Sequence, residues 1–222
     1  MKVKIILFIL VITMPIIIFL TNKTEIIELT VKTNNTDNII IKNNKFETKI
    51  EYPITEYSIL NKEIHQTIDY YQKEFYNDLK DITNKNQYNL NISYKEYSYN
   101  NYLSYIFYIE TDLGGAHPNH QISTISYDIK NNKLITINTL IEYNNNILNI
   151  LSNLSRKQLQ KIEIFKNADI IDMMLDGTTP IKNNFKNFVF TSNGLMLIFE
   201  RYQIAPYYFG EYNITIPYQQ IA

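Results

Sequence analysis

Cysteine and tryptophan are absent from the 222 residues, glycine occurs five times, proline six times, and only two of the 21 basic residues are arginine. Each scarcity removes a class of explanation. Without cysteine there are no disulfides, thiolate metal sites, cysteine nucleophiles or acylated lipoprotein cysteine. A basic surplus is also missing. The formal net charge is −1, and 19 basic residues face 22 acidic ones once Lys2 and Lys4 are set aside. Nucleic-acid binders usually carry a positive excess, so no nucleic-acid partner is expected. No glycine-rich phosphate loop, Gly-x-Ser-x-Gly elbow or His-Glu-x-x-His zinc helix occurs. What is abundant is isoleucine and asparagine, 39 and 29 residues, a composition that A/T-rich coding produces and that weakens arguments from asparagine or lysine content. Hydrophobic residues at 45% and charged residues at 19% suffice for a packed core.

One long apolar run stands out. Ile5 to Leu20, interrupted by Thr13 and Pro15, follows Lys2 and Lys4. Sixteen residues at ~1.5 Å each span roughly 24 Å, a little short of a ~30 Å hydrocarbon core. The run slightly exceeds a usual signal-peptide core, and no small-x-small cleavage site follows it. Residues 1–22 are therefore read as an uncleaved N-terminal anchor, with secretion the outcome if the segment is cleaved. Positive charge before the run, and Glu25 and Glu28 after it, places the N-terminus inside and the domain outside.

The rest reads as α+β: two helix-plus-antiparallel-sheet halves, residues 23–115 and 116–222, behind the N-terminal hydrophobic helix. Alternation at Ile27, Leu29 and Val31, at Ile39–Ile41 and from Phe46 to Ile54 predicts three strands. Leu60, Ile64, Ile68, Tyr71, Phe75, Leu79 and Ile82 then recur every three or four residues, the stripe of a helix of about six turns with Ser58 or Asn61 as N-cap. Asn100-Asn101 separates two β-rich runs. A two-residue turn there pairs Tyr99 with Tyr102, Tyr97 with Ser104 and Lys95 with Ile106. Ile92, Tyr94, Tyr105, Phe107 and Ile109 form its core face. The other face is rich in tyrosine and is expected to be covered by a helix, with a recognition ribbon as the alternative. A second hairpin is expected around Asn131-Asn132, a second helix over Asn144–Ile162, a short apolar piece at Ile170–Leu175, a hairpin at Ser192-Asn193-Gly194 and a last strand through Tyr212, Ile214 and Ile216.

Two loops draw attention. Gly114–His120 is constrained by two glycines, a proline and an asparagine. Ala205–Gly210 places Tyr207, Tyr208 and Phe209 in succession on a turn, where three aromatics are hard to bury together. The candidate ligand-binding residues are His117, Pro118, Asn119, Pro206, Tyr207, Tyr208 and Phe209. The plainer alternative has His117 bonding a backbone carbonyl, Tyr207 and Phe209 in the core, and Tyr208 alone exposed. His117 and His120 have His-x-x-His spacing with Glu110 and Asp112 upstream, but a zinc site needs a further ligand and an orienting shell, so no metal is expected. No cofactor and no catalytic residue is expected either. Glu200 is the one acid inside an apolar strand run. Arg201 beside it points to the opposite face of a strand and is not read as its partner.

Gly114-Gly115-Ala116-His117-Pro118-Asn119, Tyr127-Asp128-Ile129-Lys130, Thr139-Leu140-Ile141, Phe190-Thr191-Ser192-Asn193-Gly194-Leu195, Tyr202-Gln203-Ile204-Ala205-Pro206-Tyr207 and Ile216-Pro217-Tyr218 carry a resemblance. Over residues 45 to 221 the chain resembles the linked domains of unknown function numbered 4163 and 3298. That family includes the RsiV-type lysozyme-receptor anti-sigma factors, and a similar module precedes the catalytic domain of PdaC-type peptidoglycan deacetylases. The resemblance implies an extracytoplasmic α+β module that binds or positions. Four residues precede the apolar run and nothing follows Ala222, so the anti-sigma role and the deacetylase activity are not expected to carry over. The resulting expectation is a membrane-anchored binding module of the cell envelope whose ligand is a protein, lysozyme among the candidates, or a cell-wall glycan. The alternative is an envelope glycan hydrolase using paired carboxylates.

Overall fold

The computed structural model describes residues 27–32, 35–80 and 87–221. The expected anchor, residues 5–20, and the final stripe residue Ile82 lie outside the described residues. Among the described residues no helix is long and apolar enough to cross a membrane.

The α+β class is observed, in four layers. Seven strands form one sheet in chain order: β1 (Ile27–Lys32), β2 (Thr36–Lys42), β3 (Phe46–Pro53), β4 (Tyr88–Tyr99), β5 (Tyr102–Asp112), β6 (Asn119–Asp128) and β7 (Lys133–Ile135). Every neighbouring pair is antiparallel except β3 and β4, which run parallel because helix α1 (Ser58–Asp78) connects them. The apolar stripe of α1 explains its position: Leu60, Ile64, Ile68 and Phe75 are buried on one side. They pack against Ile92, Tyr105, Phe107 and Ile109, the core face expected for the hairpin. Tyr57 occupies the N-cap position without a side-chain bond, in place of Ser58 or Asn61. The Asn61 side chain instead accepts from Thr55 N at 3.0 Å and donates to Thr55 O at 2.7 Å.

The β4–β5 register is the one expected, with Tyr99 opposite Tyr102 and Lys95 opposite Ile106. Asn100 and Asn132 take φ of 51°, as their turns require. The seven-stranded sheet continues through the boundary expected at residues 115–116, since β6 and β7 complete it.

A second sheet, in the order β10-β9-β8, is built from β8 (Phe188–Thr191), β9 (Gly194–Phe199) and β10 (Tyr212–Ile216). Its hairpin turns at Ser192-Asn193, with Thr191 opposite Gly194. This sheet covers the tyrosine-rich face of the β4–β5 hairpin, where a helix was expected. Tyr102 stacks on Phe190 at 4.1 Å, and Tyr99 stacks on Tyr218 at 5.0 Å. The contact buries Ile106, Ile122, Val189 and Ile198. Strand β8 meets the larger sheet through its edge, whose peptide groups would otherwise be orphaned. Phe188 N donates to Thr124 Oγ1 at 3.1 Å, Phe190 N donates to Ser104 Oγ at 3.2 Å, and Ser126 Oγ donates to Phe188 O at 3.3 Å. The hydroxyls of buried Ser104 and Ser126 and of half-buried Thr124 thus replace a strand partner.

Behind the second sheet lie α2 (Ile137–Tyr143), α3 (Ile147–Leu159) and α4 (Ala168–Gly177). They bury Ile147, Leu151, Leu159 and Met174 against Leu197, Phe199 and Ile216. The helix expected over Asn144–Ile162 is α3, and α2 precedes it as a further helix, started by the capping box of Thr136 and Thr139 and ended at Asn144.

Candidate functional site

Period two along β9 sends Leu195, Leu197 and Phe199 towards the helices and Met196 and Ile198 towards the larger sheet. Residue 200 continues the second set. Glu200 accordingly reaches strand β6, where its Oε1 accepts from Ile122 N at 3.1 Å, and its Oε2 lies 3.3 Å from Lys186 Nζ. The strand ends there, and residues 201–203 form a turn. Gln203 N donates to Glu200 O at 3.0 Å, and Glu200 N donates to Gln203 Oε1 at 3.1 Å. Gln203 Nε2 donates to Gly177 O at 3.0 Å and to Asn184 O at 2.9 Å. Strand alternation therefore does not separate Arg201 from Glu200, as it would in a continuing strand: both line one pocket.

That pocket has a volume of about 280 Å³. Its floor is a cross-strand row in which Asn91 lies opposite Glu110 and Glu110 opposite His120. Asn91 Nδ2 donates to Glu110 Oε1 at 3.3 Å, and His120 Nδ1 lies 3.6 Å from Glu110 Oε2. Glu200, Arg201 and Glu211 complete the polar wall. The Asn91–Glu110 pairing follows from the hairpin register legible in the sequence. The addition of His120, Arg201 and Glu211 depends on how β6 and the second sheet are placed.

The two loops singled out in the sequence meet beside this pocket. Gly114 takes φ of 74°, and its N donates to Asp112 Oδ1 at 2.9 Å. His117 Nδ1 is 2.9 Å from Pro118 O, so the imidazole bonds a backbone carbonyl. Tyr207 OH donates to the same oxygen at 2.5 Å, and its ring stacks on His117 at 4.0 Å. The Arg201 guanidinium carbon is 4.7 Å from the centre of the Tyr207 ring, and the Tyr202 ring is 5.3 Å away. Phe209 packs against the core of the second sheet, whereas Tyr208 is 77% exposed. His117 and Asn119 are exposed, and Pro118 and Pro206 are half-buried. Six of the seven candidate residues thus sit on two loops joined through Tyr207 or exposed beside that junction, while Phe209 turns inward.

Among the described residues no group of three or more His, Asp or Glu side chains is arranged to hold a metal ion. His117 is committed to Tyr207 and Pro118, and His120 faces Glu110. His65 packs edge-on against Tyr52 at 5.3 Å, far along the fold from either. Tyr71, on α1, has its phenol pushed up to about 12 by burial first and then by the charge of Glu200. Tyr202, Arg201 and Glu211 were not singled out as binding residues. The one local signal among them is the Tyr-Gln-Ile-Ala-Pro-Tyr sequence, which begins at Tyr202 and runs into the second loop.

Residues 138–219 match the family described as a protein of unknown function, DUF3298. This stretch holds α2 to α4, the second sheet and the Ala205–Gly210 loop. The chain is 28% identical over 180 residues to the peptidoglycan-N-acetylmuramic acid deacetylase PdaC of Bacillus subtilis (strain 168). The match covers 77% of this chain and 37% of that protein, so the chain spans little more than a third of its relative's length. Two solved structures share the fold. A DUF3298 family member from Bacteroides fragilis superposes with a TM-score of 0.54 at 18% identity, covering 89% of this chain and 92% of that one. A DUF3298 family protein from Pseudomonas aeruginosa PAO1 gives 0.55 at 15% identity, with 90% and 91% coverage.

Proposed function

We propose that this chain is an extracytoplasmic binding module of the cell envelope, held to the membrane by residues 5–20, with a cell-wall glycan or a protein such as lysozyme as its ligand. In this reading residues 23–115 are the 4163-type half of the module and no catalytic step occurs in it. The observation that carries the proposal is the junction of the Gly114–His120 and Ala205–Gly210 loops through Tyr207, which fixes a polar pocket and exposed aromatic rings side by side. Concave sites with a few convergent polar groups, built on loops over a rigid sheet, are where ligands bind. The similarity to a deacetylase that acts on peptidoglycan supports the location.

The test is retention of the purified full chain, in detergent, on intact peptidoglycan sacculi and on immobilised lysozyme. One of the two is expected to retain it, and retention on neither contradicts the proposal. The intact chain is also expected in the membrane fraction with its domain digested by external protease, whereas mature protein beginning near Asn22 in the medium contradicts the anchor.

One observation favours a second reading. Glu110, Glu200 and Glu211 line one pocket, and glycoside hydrolysis uses two facing carboxyl groups about 5–9.5 Å apart. Glu110 and Glu200 are each bonded by an N–H and face a basic group. Both carboxyl groups therefore already serve as hydrogen-bond acceptors within the fold. Release of reducing ends from peptidoglycan, abolished by Glu200→Gln, would establish the hydrolase; its absence at high protein concentration supports binding.

A further inference from the structure

We infer that the pocket between Glu110, His120, Glu200 and Arg201 is a saccharide subsite, and that Tyr202 and Tyr207 form the aromatic face against which an uncharged, N-acetylated sugar ring lies. The inference rests on the binding reading above and names the ligand class.

The backbone supplies the first argument. Tyr202 has φ of 65°, in the left-handed region that bulky residues rarely enter. The strain is held by its neighbour: four hydrogen bonds of Gln203, to Glu200, Gly177 and Asn184, fix the turn. Gly177 allows that approach, since a Cβ there would sit 1.9 Å from Gln203 O. What the strain achieves is display. The Tyr202 ring is 61% exposed, so burial does not compensate for its conformation. It stands next to Tyr207, which itself touches Arg201. Strained residues that the surroundings over-determine concentrate at ligand sites.

Pocket chemistry supplies the second. Carboxylates only accept hydrogen bonds and guanidinium only donates. Glu110 and Glu200 keep lone pairs beyond those their protein donors use, and with Glu211 can accept from a ligand, while the Arg201 guanidinium on the same wall can donate to one. Hydroxyl and acetamido groups provide both within one small ring. An anion would meet three carboxylates, and a cation would meet the guanidinium. A protein side chain is a poorer fit, because the cores of protein interfaces are depleted of charge. A flat ring face that carries C–H groups completes the match to exposed tyrosine, which offers apolar area with little entropy to lose.

The experiment is calorimetric titration of the full chain with the β-1,4-linked tetramer of N-acetylglucosamine, alongside the retention tests above. The wild-type chain is expected to bind. Tyr202→Gly is expected to weaken binding at least tenfold while leaving the melting temperature unchanged or higher, because glycine takes positive φ freely. A merely structural tyrosine would behave oppositely. Asn91→Ala, on the sheet rather than on that turn, is expected to weaken binding at least threefold. No binding at 10 mM tetramer overturns the inference; retention on lysozyme in that case preserves the binding reading with a protein ligand, and retention on neither support removes both. Undiminished binding by both variants, or a large fall in melting temperature for Tyr202→Gly, also overturns it.

Discussion

Tyr207 and Tyr208 are adjacent in sequence and differ in what they do. The Tyr207 hydroxyl donates to Pro118 O and its ring lies on His117, so its side chain ties two loops that are 89 residues apart. Tyr208 is exposed and its ring lies against its neighbour Phe209. Replacing Tyr208 by Ala is expected to change stability by less than ~0.5 kcal/mol, as surface substitutions usually do. If it anchors the ligand, binding falls by ~2 kcal/mol or more. Tyr207→Phe keeps the stack and removes one hydrogen bond, which corresponds to about 1 kcal/mol of stability. Chemical denaturation and ligand titration of both variants check this. Equal effects of the two on stability would contradict the division of labour.

At the level of elements, the turn at 201–203 depends on the end of α4. Gly177→Ala would drive a methyl group into the Gln203 carbonyl. We expect destabilisation of about 2 kcal/mol or more, from the overpacking and lost hydrogen bonds together, measured as a lower denaturation midpoint, and a midpoint equal to wild type would contradict the geometry. Which elements could be read in the sequence follows from range. The α1 stripe and the β4–β5 register are set by neighbours a few residues away, so period and turn chemistry reveal them, down to the Asn91–Glu110 pair. The apolar pattern of Ile147, Leu148 and Leu151 marks α3, whereas α2 ahead of it turns on one capping box, which that pattern does not show. The cover over the tyrosine face is a long-range event. Phe190 and Tyr218 reach it from about 90 residues or more downstream, and Ser104, Thr124 and Ser126 accept an edge strand, a role that isolated hydroxyls in a strand pattern do not announce. Both candidate loops were visible from their glycine, proline and aromatic content. Their meeting was not, because Tyr207 finds Pro118 only once both sheets are stacked.

The whole molecule packs α1, a seven-stranded sheet, a three-stranded sheet and α2–α4 with tyrosine throughout, and this sets its response to alkali. Burial pushes Tyr52, Tyr71 and Tyr218 each up to about 12 and raises Tyr105 further, with Asp37, Glu200, Tyr99 and Glu96 respectively adding to the shift by their charge. An unfolded tyrosine titrates near ~10. The folded values lie higher, so these groups stabilise the fold fully below pH ~10, and that contribution is lost as pH rises through 10 towards 12. Ultraviolet titration is expected to show part of the phenolate absorbance appearing only together with loss of circular dichroism; complete titration near pH 10 with the fold intact would contradict the burial. The same layering presents the two joined loops on one face beside the pocket, and this juncture is the centre of the account. Hydrogen–deuterium exchange of the full chain with and without peptidoglycan fragments or lysozyme, whichever it retains, tests it most directly. Protection is predicted at Gly114–His120 and at residues 200–210 together. Protection confined to α1 or to the β1–β2 edge, with both loops unchanged, would contradict it.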